Sequence, residues 1–190
     1  MEEKIADSLI QLSGADEKER NIIIYGLDIF IYNLTTTLIF LFFGFLTNTL
    51  LETVLFLVIH VAVQRKAGGY HASTRLGCFI VTAVSWFGAV MAAKLQEQHC
   101  FLSFSAVILI CIGMIAVISF CAPVEHKNKP LTDEVKKQNR IISTVLVTVF
   151  SVLLLALWFY MPAVSGTILA TLLEITVYIL IWKGGRKYVA

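Results

Sequence analysis

The chain has 190 residues, 58% of them hydrophobic and only 15% charged, and its 15 lysines and arginines against 13 carboxylates give a formal net charge of +2. Its mean hydropathy is +0.82. So many apolar residues cannot be hidden inside a soluble domain of this size, which excludes a disordered chain, a disulfide-stapled secreted domain and an ordinary soluble enzyme, and points to a membrane protein.

The opening Met1-Glu2-Glu3-Lys4 lacks the basic start and unbroken apolar run of a cleaved signal peptide. Over residues 1–20, Ile5, Leu9, Ile10 and Leu12 recur at near-helical spacing among Glu, Lys, Asp and Gln. That pattern predicts either a short amphipathic helix on the inner membrane surface or a plain solvated leader. Six runs then approach the ~20 apolar residues that a helix needs to cross a ~30 Å hydrocarbon core. They are Ile22 to Leu46, Thr49 to Val63, Gly77 to Ala93, Phe101 to Ala122, Ile141 to Met161 and Ala163 to Trp182, the second and third being the shortest. The expected fold is an all-α integral membrane protein, a single six-span domain over residues 1–190. Gly184 and Gly185 mark the exit from the last span.

Cytoplasmic connections carry the excess of lysine and arginine. Of the 15 such residues only Lys94 falls in an odd-numbered connection. The others lie in the amino-terminal segment (Lys4, Lys18, Arg20), the 64–78 connection (Arg65, Lys66, Arg75), the basic 122–140 connection and the carboxyl terminus. Six spans with both termini in the cytoplasm produce that segregation; five or seven would break it.

The 64–78 connection reads QRKAGGYHASTRLGC and is the one place where a nucleophile, a base, cations and paired glycines meet at a membrane boundary. Cysteine attack needs a thiolate, and a thiolate needs a positive environment or a neighbouring imidazole. Cys78 has His71 seven residues before it, Arg75 three before it, and a place near the amino end of the third span, where unpaired helix N–H groups favour negative charge. Ser73 and Thr74 suit the cap of that end. On one straight helix His71 and Cys78 would be ~10 Å apart along the axis. The pair therefore asks for an irregular connection, which Gly68, Gly69 and Gly77 permit. A bland reading stands beside this one, since a histidine and a cysteine seven apart are common in any chain.

Cys100, Cys111 and Cys121 have no histidine or cation at comparable spacing and read as packing residues, and no Cys/His spacing signals a metal site or a disulfide framework. His99 and His126 read as interface and loop residues, and His60 either as a packed histidine or as part of the wall of the site. Ionisable residues within spans are costly and so are functional candidates. Asp28, two turns into the first span, either orients His71 as a third member of a triad or bonds another helix. Glu52 reads as wet at the outer surface, whereas Glu174, near the middle of the sixth span, must face the bundle interior or be protonated. The Cys78 backbone N–H and Gln64 are the candidate oxyanion donors.

The stretch RKAGGYHASTRLGC, with APVEHKNKPLT at 122–132, resembles the accessory gene regulator B (AgrB) family of membrane endopeptidases in Gram-positive quorum sensing. The similarity extends to total length, the six spans and the place of the motif between spans two and three. By that resemblance Cys78 is the nucleophile and His71 its general base. The substrate it implies is an AgrD-like precursor peptide, which loses its carboxyl-terminal tail and closes to a thiolactone or lactone. Arg65, Gly68 and Gly69 belong to the same pattern, as positions whose partners the resemblance does not name. No cofactor and no metal are expected; the partners are the precursor, the lipid bilayer and, from the resemblance alone, a second copy of the chain. The 122–140 connection reads either as a docking surface for an acidic tail or as an ordinary positive-inside loop.

Two other classes compete. A small peptide transporter or exporter would use Asp28, Glu52 and Glu174 as pathway residues, although no matched pair of broken helices signals a transporter repeat. A non-catalytic membrane scaffold would leave the His71 and Cys78 connection as a re-entrant bend. Nucleic-acid binding has no support, because topology accounts for the basic residues.

Overall fold

The computed structural model describes residues 17–68, 74–99, 102–124 and 131–185, the side chains of 17–22, Tyr25 and 183–185 excepted. All regular structure among the described residues is helical: α1 (Glu17–Leu46), α2 (Leu50–Ala67), α3 (Arg75–His99), α4 (Phe104–Cys121), α5 (Asp133–Leu157) and α6 (Pro162–Gly185). Of the expected amphipathic segment over 1–20, all but 17–20 lies outside the described residues.

Five of the helices are long and apolar enough to cross a membrane: Gly26–Leu46 within α1, all of α3, α4 and α5, and Pro162–Trp182 within α6. The remaining helix, α2, has 18 residues, or ~27 Å of length. It differs in its charges, Glu52 in the first turn and Arg65 and Lys66 in the last.

Helix ends depart from the hydropathy-based limits in both directions: α4 (Phe104–Cys121) is shorter than expected at both ends and α5 stops at Leu157, while on the charged side the helices continue into charged sequence. α2 runs to Ala67, so Gln64, Arg65 and Lys66 are its last turn and not part of a connection. α3 starts at Arg75 and ends at His99, and α5 starts at Asp133 instead of near Ile141. The two basic connections therefore shrink to 68–74 and 122–132. The physical reason is capping. Thr132 accepts a bond from the Val135 N–H, Asp133 and Glu134 sit where the helix dipole favours acids, and Lys136 reaches Asp133 at 3.5 Å. Gly184 and Gly185 fall within the last turn of α6 and do not follow it.

The chain divides into two compact units, Met1–Phe43 and Gly44–Ala190. The first is the body of α1, where Ile29, Phe30, Leu34, Leu38 and Phe42 are exposed. Such a run of uncovered apolar side chains suits lipid and not water. In the second unit α6 is the centre and packs on each of α2, α3, α4 and α5. Its apolar stretch is 61% buried, against 22% for each of α3, α4 and α5.

Two features let a helix sit there. Gly166 admits α3 closely: a Cβ at this position would lie 3.0 Å from the Ala92 carbonyl oxygen and 3.1 Å from Ala93 Cα. The buried hydroxyls of α6 satisfy themselves on their own helix, Ser165 on Pro162, Thr167 on Ala163, Thr171 on Thr167 and Thr176 on Leu172. Around α6 the core gathers Ile59 and Val63 of α2, Cys111 and Ile118 of α4, Val147 and Leu154 of α5, and Trp158.

Candidate functional site

Helix α3 begins where the candidate connection ends, and Thr74 builds that beginning. Its hydroxyl accepts a hydrogen bond from the Gly77 N–H at 3.1 Å, and its carbonyl accepts one from the Cys78 N–H at 3.0 Å. Thr74 is thus the cap, and Ser73 lies outside the described residues. Cys78 is the fourth residue of a 25-residue helix, half-buried and a free thiol. The Cys78 N–H, expected as an oxyanion donor, is already committed to Thr74.

The other edge of the connection is the end of α2. The Gly68 N–H closes the last turn on the Gln64 carbonyl at 2.9 Å, with Gly68 at φ 71° and ψ −166°. The Ala67 carbonyl accepts the Val124 N–H at 2.9 Å, and Arg140 Nε donates to the Ala122 carbonyl at 2.9 Å. A Cβ at Gly68 would collide with the Val124 carbonyl oxygen. The structure therefore joins the start of the 68–74 connection to Ala122-Pro123-Val124, two stretches that the sequence keeps far apart. Arg65 is exposed and Gln64 and Lys66 are half-buried on the last turn of α2, while Arg75 is exposed on the first turn of α3. Gly69 and His71 lie outside the described residues, as does His126. Asp28 belongs to the first unit, half-buried on α1.

Beneath Cys78 lies a polar seam that local spacing did not reveal. Thr82 and Ser85 follow Cys78 on the same face of α3, and the Thr82 hydroxyl bonds the Cys78 carbonyl at 3.0 Å. Ser85 Oγ and the Tyr178 hydroxyl of α6 are 2.6 Å apart. Tyr178 is in Coulombic range of both Cys78 and Glu174. Glu174, one turn earlier on α6, places Oε1 3.4 Å from Nδ1 of His60 on α2. The His60 ring also stacks on Phe56, with centroids 5.2 Å apart. So Glu174 faces the bundle interior as its position required, and His60 both packs and pairs. Neither the carboxylate oxygens of Glu174 nor His60 Nδ1 meets hydrogen-bond geometry among the described residues, so the two meet as a close polar contact at 3.4 Å. Cys111 lies in the core and Cys121 is half-buried, while Cys100 is outside the described residues.

The described part of the site is thus a thiol on the first turn of a capped helix, a connection joined at its near edge to Ala122-Pro123-Val124, and a buried acid and imidazole deeper in the bundle. A model of the family "Accessory gene regulator B" matches residues 2–182. An AgrB-like protein 2 of Clostridium perfringens strain 13 is 28% identical over 140 residues, covering 70% of this chain and 64% of that protein. An AgrB-like protein of C. perfringens strain SM101 is 26% identical over 140 residues, covering 72% of this chain and 63% of that protein. The chain thus spans less than two thirds of the length of these relatives. No solved structure matches it. With the family pattern running through nearly every helix described above, the chain belongs to the accessory gene regulator B family.

Proposed function

We propose that this protein is a membrane cysteine endopeptidase that cuts the carboxyl-terminal tail from an AgrD-like precursor peptide and closes the remainder into a thiolactone or lactone. All six helices span the membrane in this reading, α2 included, with both termini and the site on the cytoplasmic side, where a newly made precursor is available. The charge segregation supports that topology, since Lys94, near the end of α3, is the one lysine or arginine at the opposite ends of the helices.

In the first step the Cys78 thiol gives its proton to His71, the resulting thiolate attacks the scissile carbonyl, and His71 passes the proton to the leaving amine of the tail. The product is an acyl-enzyme, a thioester on Cys78. A cysteine or serine within the retained portion then attacks the thioester carbonyl, and the proton it gives up returns the Cys78 sulfur to its thiol. Because the thioester keeps the acyl group activated, ring closure needs no further energy input. Arg65 and Arg75, at the ends of the two helices that bound the connection, suit an acidic tail. Gly68 shapes the entry to the connection through its backbone.

The observation that carries the reading is the placement of Cys78 on the Thr74-capped first turn of α3. The test is reconstitution of the purified protein in lipid vesicles with an AgrD-like precursor peptide, tail release being followed by mass spectrometry. Cys78→Ala and His71→Ala are both expected to abolish release, and the wild type to show an acyl adduct on Cys78. Continued cleavage by Cys78→Ala would overturn the assignment.

A further inference from the structure

Helices α2 and α3 bound the 68–74 connection, yet they pack far more extensively on α6 than on each other. Their direct polar tie, Trp86 Nε1 to Thr53 Oγ1 at 2.9 Å, lies more than two turns from the connection on each helix. Closer in, the ties run through α6. Glu174 reaches His60 of α2, and Tyr178 reaches Ser85 of α3. Glu174 and Tyr178 are four residues apart, on one face of α6.

A carboxylate and an imidazole in the middle of an apolar bundle are costly to bury, and a leucine would fill the same volume without that cost. Apolar burial also sets helix register weakly in lipid, because lipid tails solvate a leucine about as well as a neighbouring helix does. Contacts between polar side chains, the Ser85 to Tyr178 hydrogen bond above all, resist sliding. Register matters here because the two ends of the connection hang from α2 and α3, and imidazole and sulfur must come within hydrogen-bond reach.

We propose that Glu174 and Tyr178 are positioning residues: from one face of α6 they clasp His60 of α2 and Ser85 of α3, and so set the separation of the helix ends that carry the connection from Gly68 to Cys78. This deepens the peptidase reading and rests on it for the identity of the reacting thiol. The titratable groups gathered at the clasp are His60 from α2, Cys78 from α3, and Glu174 and Tyr178 themselves.

The full-length protein in lipid vesicles tests the clasp through Tyr178→Phe, Glu174→Gln and the exchanged pair His60→Glu with Glu174→His. Two quantities are read: kcat and KM for tail release, and the pH profile of Cys78 alkylation by iodoacetamide, followed on the Cys78 peptide by mass spectrometry. The second needs no precursor. Tyr178→Phe and Glu174→Gln are expected to lower kcat by ~10- to 100-fold with little change in KM. They are also expected to change the alkylation profile from that of the wild type, and the exchanged pair to restore both readouts in part. Wild-type profiles in both single variants, or a loss of activity that only tracks loss of folded protein, would overturn the clasp. If the profiles move as expected while the wild type releases no tail, the clasp stands and the peptidase reading falls.

Discussion

Gly68 carries two constraints at once, a backbone conformation that only glycine adopts readily and a neighbour, the Val124 carbonyl, where a side chain would have to be. Backbone in that region costs other residues ~1–3 kcal/mol, and the collision adds to it. Gly68→Ala is therefore expected to destabilise the protein by about 2 kcal/mol or more, read as a lower thermal midpoint in detergent. An unchanged midpoint would mean that the Ala67 to Val124 junction does not form. A pair of glycines after a basic helix end reads from sequence as a bend. Why Gly68 must be glycine depends on Val124, which no local spacing reveals. Thr74 contrasts with it, because a hydroxyl just before an apolar run is a local signal and its cap was visible in advance.

Among the helices, the apolar middles were legible and the ends were not. Hydropathy stops counting at the first cluster of charges, whereas helical backbone continues as long as caps, dipole and side-chain pairs support it. Residues 133–140 show this well: five of these eight residues are charged, yet they form the start of α5 because Thr132 caps them and Asp133 and Glu134 face the positive end of the dipole. The same physics turned Gln64, Arg65 and Lys66 from connection into the last turn of α2. Partners of intramembrane polar residues were equally hidden. Glu174 announced itself by its cost, but His60 lies on another helix and nothing in either local sequence pairs them. The contact of α6 with α3 makes a further prediction. Gly166→Val would push a branched side chain into the Ala92 and Ala93 backbone, at a cost of ~1–3 kcal/mol. The expected result is a lower midpoint of thermal unfolding; a variant as stable as the wild type would show that α3 and α6 do not approach so closely.

Across the whole molecule the charge pattern makes a prediction about sides. In a cysteine-free background, Lys94→Cys and Lys137→Cys are expected to react with a membrane-impermeant maleimide from opposite faces of oriented vesicles. Labelling of both from one face would leave α4 unable to cross the membrane and remove the six-span topology.

The central place of α6 also has a consequence in time. A ribosome makes α6 after the four helices that it gathers. At ordinary synthesis rates of ~5–20 residues per second, the segment that starts α3 waits on the order of ten seconds before the chain reaches the end of α6. Throughout that interval Cys78 has been made, while Glu174 and Tyr178 have yet to take their places beside His60 and Ser85. On the reading proposed above, the geometry of the thiol is complete only when synthesis has passed the helix that sets it, so an unfinished nascent chain is expected to cut the precursor poorly.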